Sequence, residues 1–241
     1  MTTLRTIFIV ICITLFSCNN SAKKINTEEN IVVTDTATIS NEVIDSVATI
    51  TNVVEGDTIT TIKFKELSVA INRLVIYDEA NKIDQIQKDS VEVYAEVGET
   101  IEGQLIAISS DELIGLTVEQ RYETSVTIMN EGPHCDLTEW EHFYSDWKQL
   151  PANNNSCEFI CDKYTEKEYE KFPKIVMEAL KQKVKLECGE EWYQLVKKIN
   201  KPTEYPSGVS ISRYYLRISG QRKDNGQTVT KLIVVATPMG C

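Results

Sequence analysis

Val91-Glu92-Val93-Tyr94-Ala95-Glu96-Val97 alternates apolar and polar residues with a period near two. That pattern fits a strand with one buried and one wet face. Related signals run through residues 57–130. Residues 58–64 are rich in β-branched side chains, residues 67–77 carry apolar runs with polar breaks, and residues 104–109 and 117–129 continue the pattern. Short strands separated by Gly, Asn and Asp turns predict an antiparallel sheet.

From residue 135 to residue 201 the pattern turns helical. Asp136-Leu137-Thr138-Glu139 fits a capping box, in which the first side chain takes an orphan backbone N–H and the glutamate reaches back. Trp140, Tyr144 and Trp147 then recur at helical spacing, and Pro151 ends that stretch. Thr165-Glu166-Lys167-Glu168 is a second box. Pro173 predicts a new helix over 174–186, and 190–200 carries Trp192, Leu195, Val196 and Ile199 on one stripe. Cys188-Gly189 marks a helix end, where glycine can turn left-handed. Residues 208–237 return to β as a hairpin around Lys223-Asp224-Asn225-Gly226, because Asn-Gly favours a type I′ turn. β, then helices, then β predicts a single α+β domain over 57–241. It is an antiparallel sheet with a helical segment inserted before a C-terminal β-hairpin, and the hairpin is expected to complete the first sheet.

The N-terminus carries an address. Arg5 precedes an apolar run, Ile7 to Phe16, and Ser17 and Cys18 follow it. A basic start, about ten apolar residues and a small residue make an export signal too short to span a bilayer. Leu15, Ser17 and Cys18 resemble the lipobox of bacterial lipoproteins. The resemblance covers only about the first 20 residues. It implies a signal peptide over 1–17, cleavage before Cys18, diacylation of that cysteine (palmitate being a usual chain) and a protein held at the bacterial cell envelope. Asn19 in place of an aspartate implies the outer membrane. Two or more acyl chains anchor stably where one does not. Residues 18–56 read as a flexible tether that is polar and free of aromatics, with too little apolar surface to offset ordering entropy. Pairs such as Val53-Val54 allow an added edge strand at its far end.

Without residues 1–17 the chain keeps 24 basic and 36 acidic residues, a net charge of −12. That excess argues against nucleic acid, whose binding needs Lys and Arg on phosphates. Five cysteines remain beyond Cys18: Cys135, Cys157, Cys161, Cys188 and Cys241. In an oxidising envelope all five are disulfide candidates, and two bridges with one free thiol is the simplest count.

His134 and His142 are the only histidines, and Glu139 lies between them, so these three are the metal-ligand candidates. No His-Glu-x-x-His or paired Cys-x-x-Cys spacing accompanies them, and the plainer reading is two surface or capping histidines. Phe143 is a candidate interface anchor if it lies at the edge of its aromatic helix, and a core role is the alternative. Tyr214 and Tyr215 point to opposite sides of their strand, so only one is expected to be buried. Arg213 and Arg217 share a face with Tyr215. That patch is either a carboxylate-binding surface or a solvated strand face. No phosphate loop and no Gly-x-Ser-x-Gly elbow occurs, so no cofactor is expected. The sequence therefore predicts a membrane-anchored lipoprotein that binds a protein or envelope ligand without catalysis. The alternatives are a hydrolase or metal enzyme using residues 134–142, and a lipid-anchored immunity or inhibitor protein.

Overall fold

The computed structural model describes residues 48–54, 57–77, 89–153 and 157–239. Cys18, Cys241, residues 1–17 expected as a signal peptide and the part of the expected tether up to residue 47 lie outside the described residues. The chain folds as α+β: two sheets, with three short helices ahead of the last two strands.

The smaller sheet is antiparallel. Its strands are β1 (Ala48–Val54), β2 (Asp57–Lys63), β3 (Ser68–Asn72), β5 (Leu105–Ser109) and β10 (Glu158–Ile160), side by side in that order. β1 pairs with β2 along its whole length, so the folded part begins by residue 48, inside the stretch read as tether. The larger sheet runs β4 (Ser90–Tyr94), β12 (Thr228–Ala236), β11 (Ser207–Arg222), β6 (Leu113–Met129), β7 (His134–Leu137). It is mixed, because β12 pairs with β4 in parallel.

The C-terminal hairpin forms as expected, but it does not complete a sheet made by 57–130. It enters between β4 and β6, while β2, β3 and β5 go to the other sheet. Both hairpin strands thereby gain a partner on each side and become central. That suits their inward rows of Tyr214, Leu216 and Ile218 and of Ile233 and Val235, all buried. The turn also differs from the type I′ expectation: Gly226 alone takes positive φ, 71°, and its N–H reaches the Arg222 carbonyl at 2.9 Å.

The largest correction concerns the helix expected from Asp136 to Pro151, where short strands form instead. β7, β8 (Phe143–Tyr144) and β9 (Lys148–Gln149) pair in succession along the free side of β6. The capping-box residues find other partners. Asp136 accepts from the Thr127 hydroxyl across the strand pair, and Glu139 goes to Arg213. Cys135 and Leu137 alternate inward against Val126 and Ile128. Burial with period two outweighs a local capping signal. Helices begin only with α1 (Glu166–Tyr169), where the Thr165–Glu168 capping box is present. α2 (Met177–Cys188) and α3 (Glu190–Val196) follow, with Gly189 between them at φ 97°.

Two cores result. The main one lies between the sheets and includes Ile71, Ile106, Val118, Tyr122, Leu216 and Ile233. The second packs Leu180 and Val184 of α2 and Val196 of α3 on Val126 and Ile128 at the far end of β6. A Cys135–Cys188 disulfide, 6.1 Å between Cα atoms, staples that second core. Closing a span of this length stabilises by roughly 2–4 kcal/mol. Cys157 is also disulfide-bonded. Cys161 is not: it is a buried free thiol, and burial, then Asp162 and Glu102, push its pKa up. Cys161 therefore leaves the set of bridge candidates.

Candidate functional site

The outward face of β6 and β11 carries the candidate site. On β6, Glu119, Arg121 and Glu123 point away from the main core, while Val118, Gln120 and Tyr122 point into it. On β11, Arg213, Tyr215 and Arg217 share the outward face. Register sets Tyr215 opposite Arg121, Arg217 opposite Glu119 and Arg213 opposite Glu123. A bulge at Ser212 makes this possible. Ile211 and Arg213 are two apart and would share a face on a regular strand. The extra residue lets Ile211 pair with Thr124 inward while Arg213 turns out to Glu123. The Ser212 hydroxyl lies 2.8 Å from that of Ser125.

Glu123 is the hub. It is 0% exposed, although it sits on the outward face. Arg213 Nη1 lies 3.1 Å from Oε1, His142 Nδ1 lies 3.0 Å from the same oxygen, and the Tyr215 hydroxyl donates to Oε2. A carboxylate only accepts, so Nδ1 of His142 carries the hydrogen. A buried carboxylate of this kind is stable only when its oxygens are filled in this way. Arg213 also donates from Nε to Glu92 at 3.0 Å and from Nη2 to Glu139 at 2.6 Å. Burial opposes its charge, but Glu139, Glu92 and Glu123 together hold the pKa above the ordinary arginine range. Burial, and then the bond to Glu123, push the Tyr215 phenol up.

Beside the hub runs a cation–aromatic ladder. The Arg121 guanidinium carbon lies 5.0 Å from the Tyr144 ring centre, 4.6 Å from Trp147 and 4.7 Å from Tyr215. Arg217 covers the other part of Trp147 at 4.2 Å and donates to Glu119 at 2.8 Å. Among the described residues Arg121 makes no ion pair, and its buried Nε has no hydrogen-bond partner. Three rings hold its charge instead, each cation–π contact contributing roughly 0.5–1 kcal/mol.

These side chains border an open cleft of about 660 Å³. Glu92 and Tyr94 of β4, Leu232 and Val234 of β12, Arg213 and Tyr215 of β11, and Glu123 and Tyr144 beside them line it, with Glu139 and His142 at one side. The structure thus joins two sets that the sequence kept apart, Glu139 and His142 with Arg213 and Tyr215.

Other candidates fall elsewhere. His134 pairs opposite Met129, while Phe143 next to His142 pairs opposite Thr124. Five positions along β6, about 17 Å, separate the two registers, so His134, Glu139 and His142 do not converge. Among the described residues no group of three or more His, Cys, Asp or Glu side chains is placed to hold a metal ion. Phe143 is no exposed anchor. It packs against the main core beside Tyr122, 6.1 Å between ring centres, because its strand turns it inward. Arg217 belongs to the ladder and does not line the cleft. Arg213 is already engaged by three carboxylates, so it does not offer a free guanidinium to an incoming carboxylate.

Ser125, His142 and Glu123 lie together, with Ser125 Oγ 3.2 Å from Nδ1. They do not form a nucleophile–base relay. Such a relay needs the acid on one imidazole nitrogen and the serine on the other, whereas here both contacts fall on Nδ1. Ser125 is also 0% exposed.

Sequence reasoning missed Glu123, Glu92, Arg121 and Tyr94. The available signal was Glu119-x-Arg121-x-Glu123, a charge alternation with the period of a strand. It marked a polar face without showing that another segment would cover it.

Comparison with family models, with curated proteins and with solved structures found no match.

Proposed function

We propose that the protein is an envelope lipoprotein, anchored through acylated Cys18, that binds a ligand in the cleft around Glu123 without catalysing a reaction on it. The observation that supports this most is the mutual engagement of the polar side chains. Glu123, Arg213, Tyr215, Glu92 and Glu139 are held by one another before any ligand arrives. A preorganised wall favours binding, because little side-chain freedom is lost on association. Ser125, beside His142, is buried and lacks the geometry of an activated nucleophile, and Glu123, buried where Glu139 is exposed, has both oxygens already engaged. Among the described residues no helix is long and apolar enough to cross a membrane. In this reading acyl chains on Cys18 supply the anchor, and Asn19 after it favours the outer membrane.

A photo-crosslinking phenylalanine analogue at position 144, in cells of the native bacterium, tests the binding role. The expected result is a discrete adduct that is absent when the same analogue replaces Leu186, an exposed residue on α2. Identical adducts at both positions, or none at 144, overturn the reading. Cys18→Ala is expected to abolish incorporation of labelled palmitate and to release the protein from the membrane fraction. Retention in that fraction counts against the anchor.

A further inference from the structure

We infer that the cleft and an apolar groove beside it form one docking site for a basic segment of a partner protein. A lysine or arginine side chain occupies the cleft and an apolar side chain occupies the groove. This rests on the binding reading above and names its ligand class.

The charge balance of the cleft sets the first half. Asp89, Glu92, Glu123 and Glu139 line it against a single lining guanidinium, that of Arg213. Lys231 reaches Asp89 from the inward face and offsets it. Glu92, Glu123 and Glu139 then share one arginine, which leaves an excess of negative charge. The Glu139 side chain is 76% exposed and faces water rather than sealing itself in. The rings of Tyr94, Tyr144 and Tyr215 complete the walls, and aromatic faces attract cations. Arg213 and Arg121 already show that this surface holds guanidinium groups, one by carboxylates and one by rings.

The neighbouring groove sets the second half. It measures about 440 Å³ and is lined by Tyr77, Val97, Ala236 and Pro238 among others. Tyr94 and Arg213 line both cavities, so the two lie side by side. Val97 is 66% exposed and Tyr77 52%. Two open compartments of different chemistry, side by side, suit a chain laid across them better than a free amine. The net charge of −11 on the whole chain adds long-range attraction for a basic partner.

The test uses the full chain in detergent and three capped hexapeptides: alternating lysine and leucine, the same with glutamate for lysine, and the same with serine for leucine. Isothermal titration is expected to show the lysine–leucine peptide binding at least about tenfold more tightly than either other, a difference of about 1.4 kcal/mol. Glu139→Gln and Tyr144→Ala are each expected to weaken it roughly threefold, in line with single exposed ionic or cation–π contacts. The Glu139 side chain is 76% exposed and Tyr144 46%, and a thermal melt checks that each variant stays folded. Equal binding of the glutamate peptide removes the basic partner, and equal binding of the serine peptide removes the groove. Either result alongside an adduct at position 144 overturns the ligand class while the binding role stands. Absence of that adduct overturns the role itself.

Discussion

Tyr214 and Tyr215 are neighbours on β11, yet each donates its hydroxyl to a glutamate on a different face of the sheet. Tyr214 points inward, is 4% exposed and reaches Glu102 at 2.7 Å. Glu102 also accepts from Tyr169 at 2.7 Å and from the Tyr164 backbone N–H. Tyr215 points outward to Glu123, which an arginine and a histidine share. Among the described residues the inner carboxylate meets neutral donors, two phenols and a backbone N–H, and it ties α1 and the 100–104 loop to β11. The outer one is fully buried but borders a cleft, and its charge is balanced by a guanidinium. One alternating strand therefore supplies both a structural clamp and a candidate binding wall, and what covers each face decides which is which.

Arg213→Ala is the sharpest way to break this contrast. It leaves Glu123 buried without its cation, which costs about 3–5 kcal/mol for a buried pair, read as a lower urea midpoint. A loss below 1 kcal/mol would mean that the outer face carries no buried charge of consequence. Leu216→Ala, on the inward face between Tyr214 and Ile218, is expected to cost about 2–5 kcal/mol as a core cavity. The cleft should keep its ligand in that variant wherever it remains folded.

Alkali tests the inner clamp more finely. Burial, then the bond to Glu102, raise the Tyr214 phenol above its ordinary value near 10. Tyr164, Tyr169 and Tyr215 are raised as well, burial being the leading cause in each. Above about pH 10 the unfolded chain releases these protons while the folded chain keeps them. Stability is therefore complete below that pH and falls as pH rises, by about 1.4 kcal/mol per pH unit for Tyr214 alone. Urea midpoints between pH 8 and pH 11 are expected to fall less steeply for Tyr214→Phe than for the native chain. Equal slopes would remove the inner clamp from the account. The smallest effect belongs to Arg217→Ala in the ladder, below about 1 kcal/mol, since exposed ion pairs and cation–π contacts are weak. A larger loss would show that the ladder, rather than the hub, holds the outer face.

Much of the architecture was legible in the residues. Alternation in 91–97 and 117–129 marked β4 and β6, the Asn-Gly pair marked the last hairpin, and Thr165–Glu168 marked α1. Opposite facing of Tyr214 and Tyr215 followed from strand geometry. The helix expected over 136–150 failed because its capping box and aromatic spacing are local signals, while the open side of β6 offered backbone partners and inward sites for Cys135, Leu137 and Phe143. The site was legible only in pieces. Arg213, Tyr215, Glu139 and His142 stood out as residues, but Glu123 looked like one of many strand glutamates.

The chain by itself determined its α+β order and the faces of its strands, since these depend on composition and on periods of two and 3.6 residues. Tertiary structure alone decided that β4, β6 and the hairpin share a sheet, that Ser212 bulges to turn Arg213 outward, and that residues 139–144 close over Glu123. Those outcomes depend on which distant segments compete for the same backbone edge and the same buried space, and no local period encodes that competition.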